Sequence, residues 1–343
     1  MDSAYFKLTK EIFKMNYMLL KQQVLIALMV VFVVSFNVQA GDKETLRVIS
    51  SNPFNFFELI RNPSTGSDVT IKAELEFPST AKGKLEKIPA MVFVHGGGGP
   101  LPRHEKWRRL FREMGFATVY ADHFKPRGVS SQVGDHTKVT GAMMVADTLH
   151  LLNALAEHPR IDPNRIGIMG SSKGGGVAQY VTWNPLRKSI AKDRQFAVSI
   201  LLYPVCAYWE KKDFTDKPMF MMIGAKDSST GVKHCVSSLK EIQSAGYNNM
   251  QVKLYKGAYH GFDSDKRIRQ FSDGYDLTRS ELVVKPDGKV VEMASGFGLD
   301  TPATKKKMFR KCARKGTTLG GNHVMPQAMQ DVREFLTTAF GDF

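Results

Sequence analysis

A serine framed by two glycines is the first feature of this sequence that could do chemistry. In the stretch GSSKG, Gly170, Ser172 and Gly174 fit the pattern G-x-S-x-G. In that pattern, a sharp turn between a strand and a helix exposes the serine hydroxyl. An apolar run precedes the stretch and a helical pattern follows it, so we predict that Ser172 is a nucleophile. Ser171 is out of frame, because no glycine lies two positions to either side of it.

A serine hydroxyl becomes a useful nucleophile only when a base removes its proton. In α/β-hydrolases the chain order is nucleophile, acid and histidine. Asp227 follows the apolar run PMFMMI, at the end of a strand where parallel sheets place functional loops. His260 closes a later strand, whereas His234 falls in a predicted helix and His323 precedes the last helix as the one serious rival. The sequence therefore predicts Ser172, Asp227 and His260 as a catalytic triad.

An oxyanion formed by attack on a carbonyl needs hydrogen-bond donors that are already in place. The backbone N–H of Lys173, which follows the nucleophile, is one predicted donor. The second is predicted in the loop HGGGG after an earlier strand, where Gly97 is our choice and Gly96 and Gly98 remain alternatives. A phosphate-binding loop is the other interpretation of these glycines, but no G-K-[ST] follows them and Pro100 interrupts the expected helix start.

Short β-rich runs alternate with longer helical patterns along the chain. This alternation predicts an α/β protein with the α/β-hydrolase fold, in which helices cover both faces of a mostly parallel central sheet. The predicted strands are Val69–Phe77, Ile88–Val94, Ala117–Ala121, Arg165–Met169, Phe196–Tyr203, Pro218–Ile223 and Gln251–Tyr255. The first of these is expected to be antiparallel. The main predicted helices are His104–Met114, Val139–Glu157, Val232–Ala245 and a closing helix from Pro326.

Residues 41–343 are predicted to form one domain. Between the last predicted strand and the closing helix lies a basic insertion at about residues 263–322. Within it, Leu282–Val291 reads as a β-hairpin around a Pro-Asp-Gly turn. We expect the insertion to form a flap or an edge of the domain.

The first 40 residues have the layout of a secretory signal peptide. Lys21 precedes the apolar run Val24–Phe36, and Val38 and Ala40 supply the small residues of a cleavage site. The run is shorter than the roughly 20 residues that a membrane-spanning helix needs. We therefore expect export to the periplasm or secretion after cleavage behind Ala40; the alternative is an uncleaved anchor that holds the protein at a membrane.

The chain carries a formal net charge of +15, and residues 1–40 account for little of it. Much of the excess lies late, around Lys305–Lys307 and Arg310–Lys315, where it would support weak association with an anionic surface. A solvated basic face is the alternative. No RNA-binding signature, zinc-finger spacing or aromatic interleaving accompanies the charge, so we expect no nucleic-acid partner.

Three cysteines occur, at positions 206, 235 and 312. No two form a CxxC pair, so a structural zinc site is not expected. Cys206 follows one predicted strand and Cys235 opens the helix after the next, which brings them near each other in a parallel sheet. Export would permit a disulfide. The sequence leaves two states open, a Cys206–Cys235 bridge or two free thiols.

The motifs around the three triad residues resemble those of the dienelactone hydrolase family. The resemblance runs from about Ile88 to the C-terminus and includes the segments ADHFKPRG and YPVC. It makes Arg127, in the first segment, a candidate for binding a substrate carboxylate, and a structural ion pair is an interpretation of at least equal weight. Dienelactone hydrolases proper use a cysteine nucleophile, whereas Ser172 makes this chain similar to the serine members, so the resemblance does not carry the dienelactone substrate with it.

These patterns together predict an exported serine hydrolase that cleaves a small-molecule carboxylic ester through an acyl-enzyme intermediate. The chemistry requires no metal and no organic cofactor, and neither is signalled. An amide or peptide hydrolase, or an acyl transferase, would use the same triad. A hypothesis of another class is an exported binding protein that kept the fold without catalysis.

Overall fold

The computed structural model describes residues 43–66, 68–81 and 86–341. The predicted signal peptide at residues 1–40 lies outside the described residues. The main sheet has eight strands in the order β1-β2-β4-β3-β5-β6-β8-β9. Its strands are β1 (Lys43–Ser50), β2 (Val69–Glu76), β3 (Ile88–Val94), β4 (Ala117–Ala121), β5 (Ile161–Ser171), β6 (Val198–Leu202), β8 (Met219–Gly224) and β9 (Met250–Tyr255), and β7 (Tyr208–Trp209) lies outside this sheet.

Six neighbouring strands of this sheet, from β4 through β9 in the sheet order, pair in parallel. Strand β2 is antiparallel to both β1 and β4. Every residue of β6 and β8 is buried, and since successive side chains of a strand point to opposite faces, both faces of the sheet are covered. The predicted α/β-hydrolase architecture with its mostly parallel sheet is confirmed.

Helices connect and cover these strands. They are α1 (Phe56–Arg61), α2 (His104–Glu113), α3 (Gly141–Ala156), α4 (Lys173–Tyr180), α5 (Asn184–Ala191), α6 (Val232–Ser244), α7 (Pro302–Cys312) and α8 (Met325–Phe340). Helix α3 buries ten of its residues, including Val145, Leu149 and Leu152. It ends before His158-Pro159 because the residue before a proline is disfavoured in helical geometry. Within the described residues, no helix is both long and apolar enough to span a membrane.

The insertion contains more structure than its sequence pattern indicates. Strand β10 (Arg269–Asp276) pairs in antiparallel fashion with β13 (Arg314–Leu319), and helix α7 lies between them in sequence. Strands β11 (Leu282–Val284) and β12 (Val290–Glu292) form an antiparallel hairpin, and β11 also pairs in parallel with β7. Since β7 follows β6, this pairing attaches the insertion to the central domain.

Arg127 forms a buried ion pair, which is one of the two interpretations that its sequence left open. Its guanidinium donates to both oxygens of Asp147, at 2.8 and 2.9 Å, and to the Asn52 side chain at 2.6 Å. Asp147 is fully buried and also accepts from His123 at 2.9 Å and from Ser50 at 2.6 Å. Burial alone would raise the pKa of Asp147, but the hydrogen bonds from His123 and Arg127 lower it. Arg127 therefore neutralises a buried carboxylate and ties three segments together.

We predict that Arg127→Met lowers the free energy of unfolding by about 3–5 kcal/mol, because Asp147 is left as a buried charge with less compensation. Urea unfolding of the purified variant measures this loss. The matched control is Arg194→Met, which removes an exposed ion pair with Glu157 and should cost less than about 1 kcal/mol. An Arg127→Met protein of unchanged stability and tenfold higher KM for anionic esters would restore the substrate assignment.

Candidate active site

The predicted nucleophile, Ser172, lies at a sharp turn between β5 and α4. Ser172 has φ 55° and ψ −114°, a left-handed backbone that costs a non-glycine residue about 1–3 kcal/mol. Its neighbours hold it there. The Ser172 N–H donates to the Leu202 carbonyl at 2.9 Å, and its carbonyl accepts from Gly176 at 3.0 Å and from Val205 at 3.3 Å. The turn thus depends on both the start of α4 and the segment after β6.

The two glycines of the motif are required by close backbone packing. A Cβ atom on Gly170 would lie 2.0 Å from the Gly174 carbonyl oxygen. A Cβ atom on Gly174 would lie 2.2 Å from the Val94 carbonyl oxygen, at the end of β3. Real Cβ contacts are never this short, so a side chain on Gly174 would push the turn away from β3 and one on Gly170 would push β5 away from the start of α4.

His260 and Asp227 complete a hydrogen-bonded chain to the serine. His260 Nε2 lies 2.8 Å from Ser172 Oγ, and His260 Nδ1 lies 2.8 Å from Asp227 Oδ2. Because an ionised carboxylate only accepts hydrogen bonds, Nδ1 donates to Asp227 and Nε2 is left to accept from the serine hydroxyl. The second Asp227 oxygen accepts from the Thr230 amide at 3.1 Å, which fixes the buried carboxylate.

His323, the alternative candidate for the base, does not line the cavity around Ser172. His323 is exposed, and its Nε2 lies 3.3 Å from the Lys256 carbonyl oxygen. His234 bonds through Nε2 to the Thr278 carbonyl at 2.8 Å. Neither histidine lines the cavity around Ser172.

The glycine loop after β3 and the first turn of α4 line the same cavity as Ser172. The Gly97 carbonyl accepts from the Gln132 amide at 2.8 Å, which fixes the loop. Among the described residues, no protein acceptor pairs with the amide N–H of Gly97 or of Lys173, so both donors are free for an oxyanion. Gly96 and Gly98 line the cavity as well, and a Cβ atom on Gly96 would lie 3.2 Å from that of Ser172.

His95 fixes the position of this glycine loop through hydrogen bonds of both its ring nitrogens. Its Nε2 accepts from the His123 amide at 3.1 Å, so its Nδ1 carries the proton and donates to the Gly96 carbonyl at 2.9 Å. Burial and the neighbouring His123 lower the pKa of His95 to about 3. A neutral, fully buried imidazole thus fixes the backbone beside the predicted oxyanion donors.

A second buried network lies beside His260, the predicted catalytic base. The Tyr203 ring packs edge-on against His260, with ring centroids 4.8 Å apart, and Tyr203 has a strained φ of 36°. The Tyr203 hydroxyl donates to Asp263 at 2.7 Å, and Trp107 Nε1 donates to the other Asp263 oxygen at 3.1 Å. Arg103 lies 3.4 Å from the same carboxylate. Burial and Asp263 raise the pKa of Tyr203 well above its usual value, so its hydroxyl stays protonated as a donor.

A cavity of about 470 Å³ adjoins Ser172 and His260. Its volume is within the range of small-molecule sites, roughly 300–1,000 Å³. Much of its wall is apolar and comes from the insertion, including Phe271, Leu277, Leu282, Val284, Met308, Phe309 and Leu319. The insertion therefore shapes the space in which a substrate would lie.

The structure joins Cys206 and Cys235 in a disulfide and leaves Cys312 as a free thiol. The bridge connects the segment after β6 to the first turns of α6, the helix that follows the Asp227 loop. Since Val205 donates to the Ser172 carbonyl, the bridge links the neighbourhood of the nucleophile to that of the acid. Within the described part of the chain, no cluster of three or more His, Cys, Asp or Glu side chains is placed to hold a metal ion.

A model of the dienelactone hydrolase family matches residues 78–286, which is more than half of the chain. The chain belongs to this family. Two curated Escherichia coli proteins, each described as an uncharacterized 31.7 kDa protein in the traX-finO intergenic region, are 36% identical to it over 94 residues. That similarity covers 26% of this chain and 31% of each relative, so it spans less than half of their length.

Solved structures resemble this family member in fold. Esterase 2 of Thermogutta terrifontis, phosphorylated by paraoxon, superposes with a TM-score of 0.53 at 16% identity, and covers 90% of this chain and 98% of that one. A putative dienelactone hydrolase from Klebsiella pneumoniae superposes with a TM-score of 0.46 at 17% identity, and covers 65% of this chain and 90% of that one. At such identities, the first likeness shows a shared fold and nothing more.

The structure brings together Ser172, Asp227, His260 and the amides of Gly97 and Lys173, and it places Arg127 outside the cavity. Sequence reasoning gave no role to His95 or Asp263. His95 heads the glycine run and Asp263 lies three residues after His260, so proximity to the motifs was the only available signal. Their roles depend on contacts with distant segments, which no local pattern reveals.

We predict that Tyr203→Phe and Asp263→Asn each lower kcat about tenfold while KM changes less than twofold. The reason is that Asp263 anchors the ring against which His260 packs, so its loss lets the imidazole move without altering the substrate cavity. Steady-state kinetics on a p-nitrophenyl ester measure the split between kcat and KM.

The matched controls are Tyr255→Phe and Asp331→Asn, a second buried pair whose hydroxyl and carboxylate lie 2.6 Å apart, away from His260. These variants should lose similar stability and keep their kcat. Equal losses of kcat in both pairs would show that Tyr203 and Asp263 only support the fold.

Proposed function

We propose that this chain is an exported serine hydrolase that cleaves a small carboxylic ester through an acyl-enzyme intermediate. The observation that carries the proposal is the hydrogen-bonded chain from Asp227 through His260 to Ser172, which opens onto a largely apolar cavity. Membership of a hydrolase family supports the same reaction class.

The geometry supports a two-step mechanism. His260 Nε2 takes the hydroxyl proton of Ser172 as Oγ attacks the ester carbonyl carbon, and Asp227 stabilises the imidazolium that forms. The amides of Gly97 and Lys173 donate to the oxyanion. The bond to the alcohol then breaks, and His260 returns its proton to the leaving oxygen. Water repeats the attack on the acyl-serine, which releases the acid and regenerates Ser172.

An ester is favoured over a polypeptide because the cavity is of small-molecule size and the insertion forms part of its wall. An amide or peptide hydrolase, or an acyl transferase, remains the alternative within enzymes, since each would use the same three side chains. A binding protein without catalysis is the alternative of another class. Comparing turnover of aryl and alkyl esters with that of peptide amides separates the enzymatic options.

We predict that a fluorophosphonate probe labels Ser172 and that Ser172→Ala and His260→Ala each lower kcat by about 10⁴- to 10⁶-fold. Asp227→Asn should cost about 10⁴-fold, because it misorients the imidazole without removing it. The double variant of Ser172 and His260 should be scarcely worse than either single one, because the triad acts as a unit. Peptide mapping of the labelled protein and steady-state ester hydrolysis measure these effects.

The control is His323→Ala, which should keep kcat within about tenfold because that side chain lies outside the cavity. Absence of labelling and of ester turnover in folded wild-type protein would favour the binding protein. Loss of turnover in His323→Ala with retention in His260→Ala would reverse the assignment of the base.

We also propose that residues 1–40 direct export and are removed. The support is the sequence layout of a charged residue, an apolar run and small residues at a cleavage site. The predicted result of N-terminal sequencing on protein from its native host is a start near Gly41. A protein that keeps residues 24–38 in an alkali-resistant membrane fraction would instead be anchored, with its late basic residues near lipid head groups.

A further inference from the structure

Two lysine side chains line the cavity beside the nucleophile. Lys173 follows Ser172 directly, and its Nζ donates to the Val139 carbonyl oxygen. Lys305 comes from α7 in the insertion, where its neighbour Lys306 is exposed. The basic run that sequence analysis assigned to a surface therefore sends one of its amines inward.

No carboxylate among the described residues forms an ion pair with either amine. Asp135, the carboxylate whose charge acts on both, accepts hydrogen bonds from the Thr137 amide at 3.0 Å and from its hydroxyl at 2.6 Å. Asp273 and Asp300 also line the cavity, but neither pairs with these lysines. Both lysines are half-buried. An ammonium group that is withdrawn from water is normally paired, because its desolvation is costly.

Of the two amines, that of Lys305 has fewer hydrogen-bond partners among the described residues. No hydrogen-bond acceptor among the described residues pairs with its Nζ, which lies 5.9 Å from the centroid of the Phe54 ring. Burial lowers the pKa of Lys305 to about 8. Burial and the charge of Lys305 lower the pKa of Lys173 well below its usual value.

His136 lies at the same end of the cavity, stacked on Phe309 with ring centroids 5.1 Å apart. Burial and the two lysines lower the pKa of His136 to about 3, so this ring is neutral. The groups that act on this region are thus two amines, the more distant amine of Lys315, one occupied carboxylate and a neutral imidazole. Arg103 and Arg269 also line the cavity, as do the carboxylates of Asp273 and Asp300, so its charged lining has an excess of positive groups beside a wall that is mostly apolar.

We propose that Lys173 and Lys305 bind an anionic group of the substrate, so that the ester cleaved at Ser172 carries a carboxylate or a phosphate next to an apolar body. The inference rests on the proposed ester hydrolysis and adds the substrate class. An anion supplies the missing counter-charge to both amines. Lys305 lies beyond residue 286, where the family match ends, so the insertion supplies one of the two amines and Lys173 supplies the other.

The first experiment compares matched esters on the wild-type protein. Mono-p-nitrophenyl glutarate and p-nitrophenyl valerate have acyl chains of equal length, and only the former ends in a carboxylate. A second pair, 3-carboxyphenyl valerate and phenyl valerate, places the charge on the alcohol side. In at least one pair, kcat/KM should favour the anionic ester by about tenfold to a hundredfold, the effect expected of a charged hydrogen bond. Equal or lower kcat/KM for both anionic esters overturns the inference, while turnover of the neutral esters leaves ester hydrolysis intact.

Variants assign the preference to the two amines. Lys305→Gln and Lys173→Met should each reduce the ratio of anionic to neutral kcat/KM to below about threefold. The matched control is Lys306→Gln, which removes an exposed charge from the same helix and should keep the wild-type ratio. Equal loss of the ratio in all three variants, each shown to be folded by its thermal melt, would mean that general surface charge causes the preference.

Direct binding tests the site without turnover. Isothermal titration of Ser172→Ala with hexanoate and with hexyl phosphate, against hexanamide as the neutral probe, shows which anion the site takes. Binding should be at least tenfold weaker in Ser172→Ala/Lys305→Gln than in Ser172→Ala, and near pH 8 it should take up protons. A heat that is independent of buffer ionisation, or no binding of either anion, overturns the site. Anion binding with neither ester turnover nor fluorophosphonate labelling would retain the site and reject the hydrolase.

Discussion

The strained backbone of Ser172 is the constraint on which the site depends. Its left-handed conformation persists only because β5, α4 and the segment after β6 hold it from three sides. The missing side chain of Gly174 lets α4 approach the end of β3, and that of Gly170 lets the end of β5 pack against the start of α4. The predicted oxyanion donors of Gly97 and Lys173 therefore line one cavity. A larger residue at either glycine would therefore disturb the nucleophile and its donors together.

The parallel sheet explains why distant residues meet there. Strands β5, β8 and β9 run in the same direction, so the residues that follow them, Ser172, Asp227 and His260, arrive at the same edge. Each residue follows a strand that its own apolar pattern predicts, and the chain order fixes the roles. This is why the fold and the three candidate catalytic side chains could be predicted from the sequence without any long-range information.

The other features of the fold and of the site depend on contacts between distant segments, which local sequence patterns do not encode. Strand β1 alternates buried and exposed residues, but only its pairing with β2 shows that it belongs to the sheet. Strands β10 and β13 are polar and lie far apart in sequence, so nothing local predicts that they pair. The same limit applies to single residues: the sequence alone cannot choose between a substrate-binding and an ion-paired Arg127, because its partner Asp147 lies 20 residues away.

The proposed catalytic residues lie in the central domain, whereas part of the substrate-binding wall comes from the insertion. The groups that would break a bond lie on strand ends of the central sheet, where close packing allows little change. Many of the groups that shape the cavity come from the insertion, which makes few strand pairings with the central domain beyond β7 and His260. A residue of the insertion that lines the cavity, such as Lys305, can therefore change which substrate is preferred without disturbing the strained backbone of Ser172. Lys173 is the point of contact between the central domain and the insertion. It begins α4 in the central domain, and the charge of Lys305 in the insertion helps to lower its pKa.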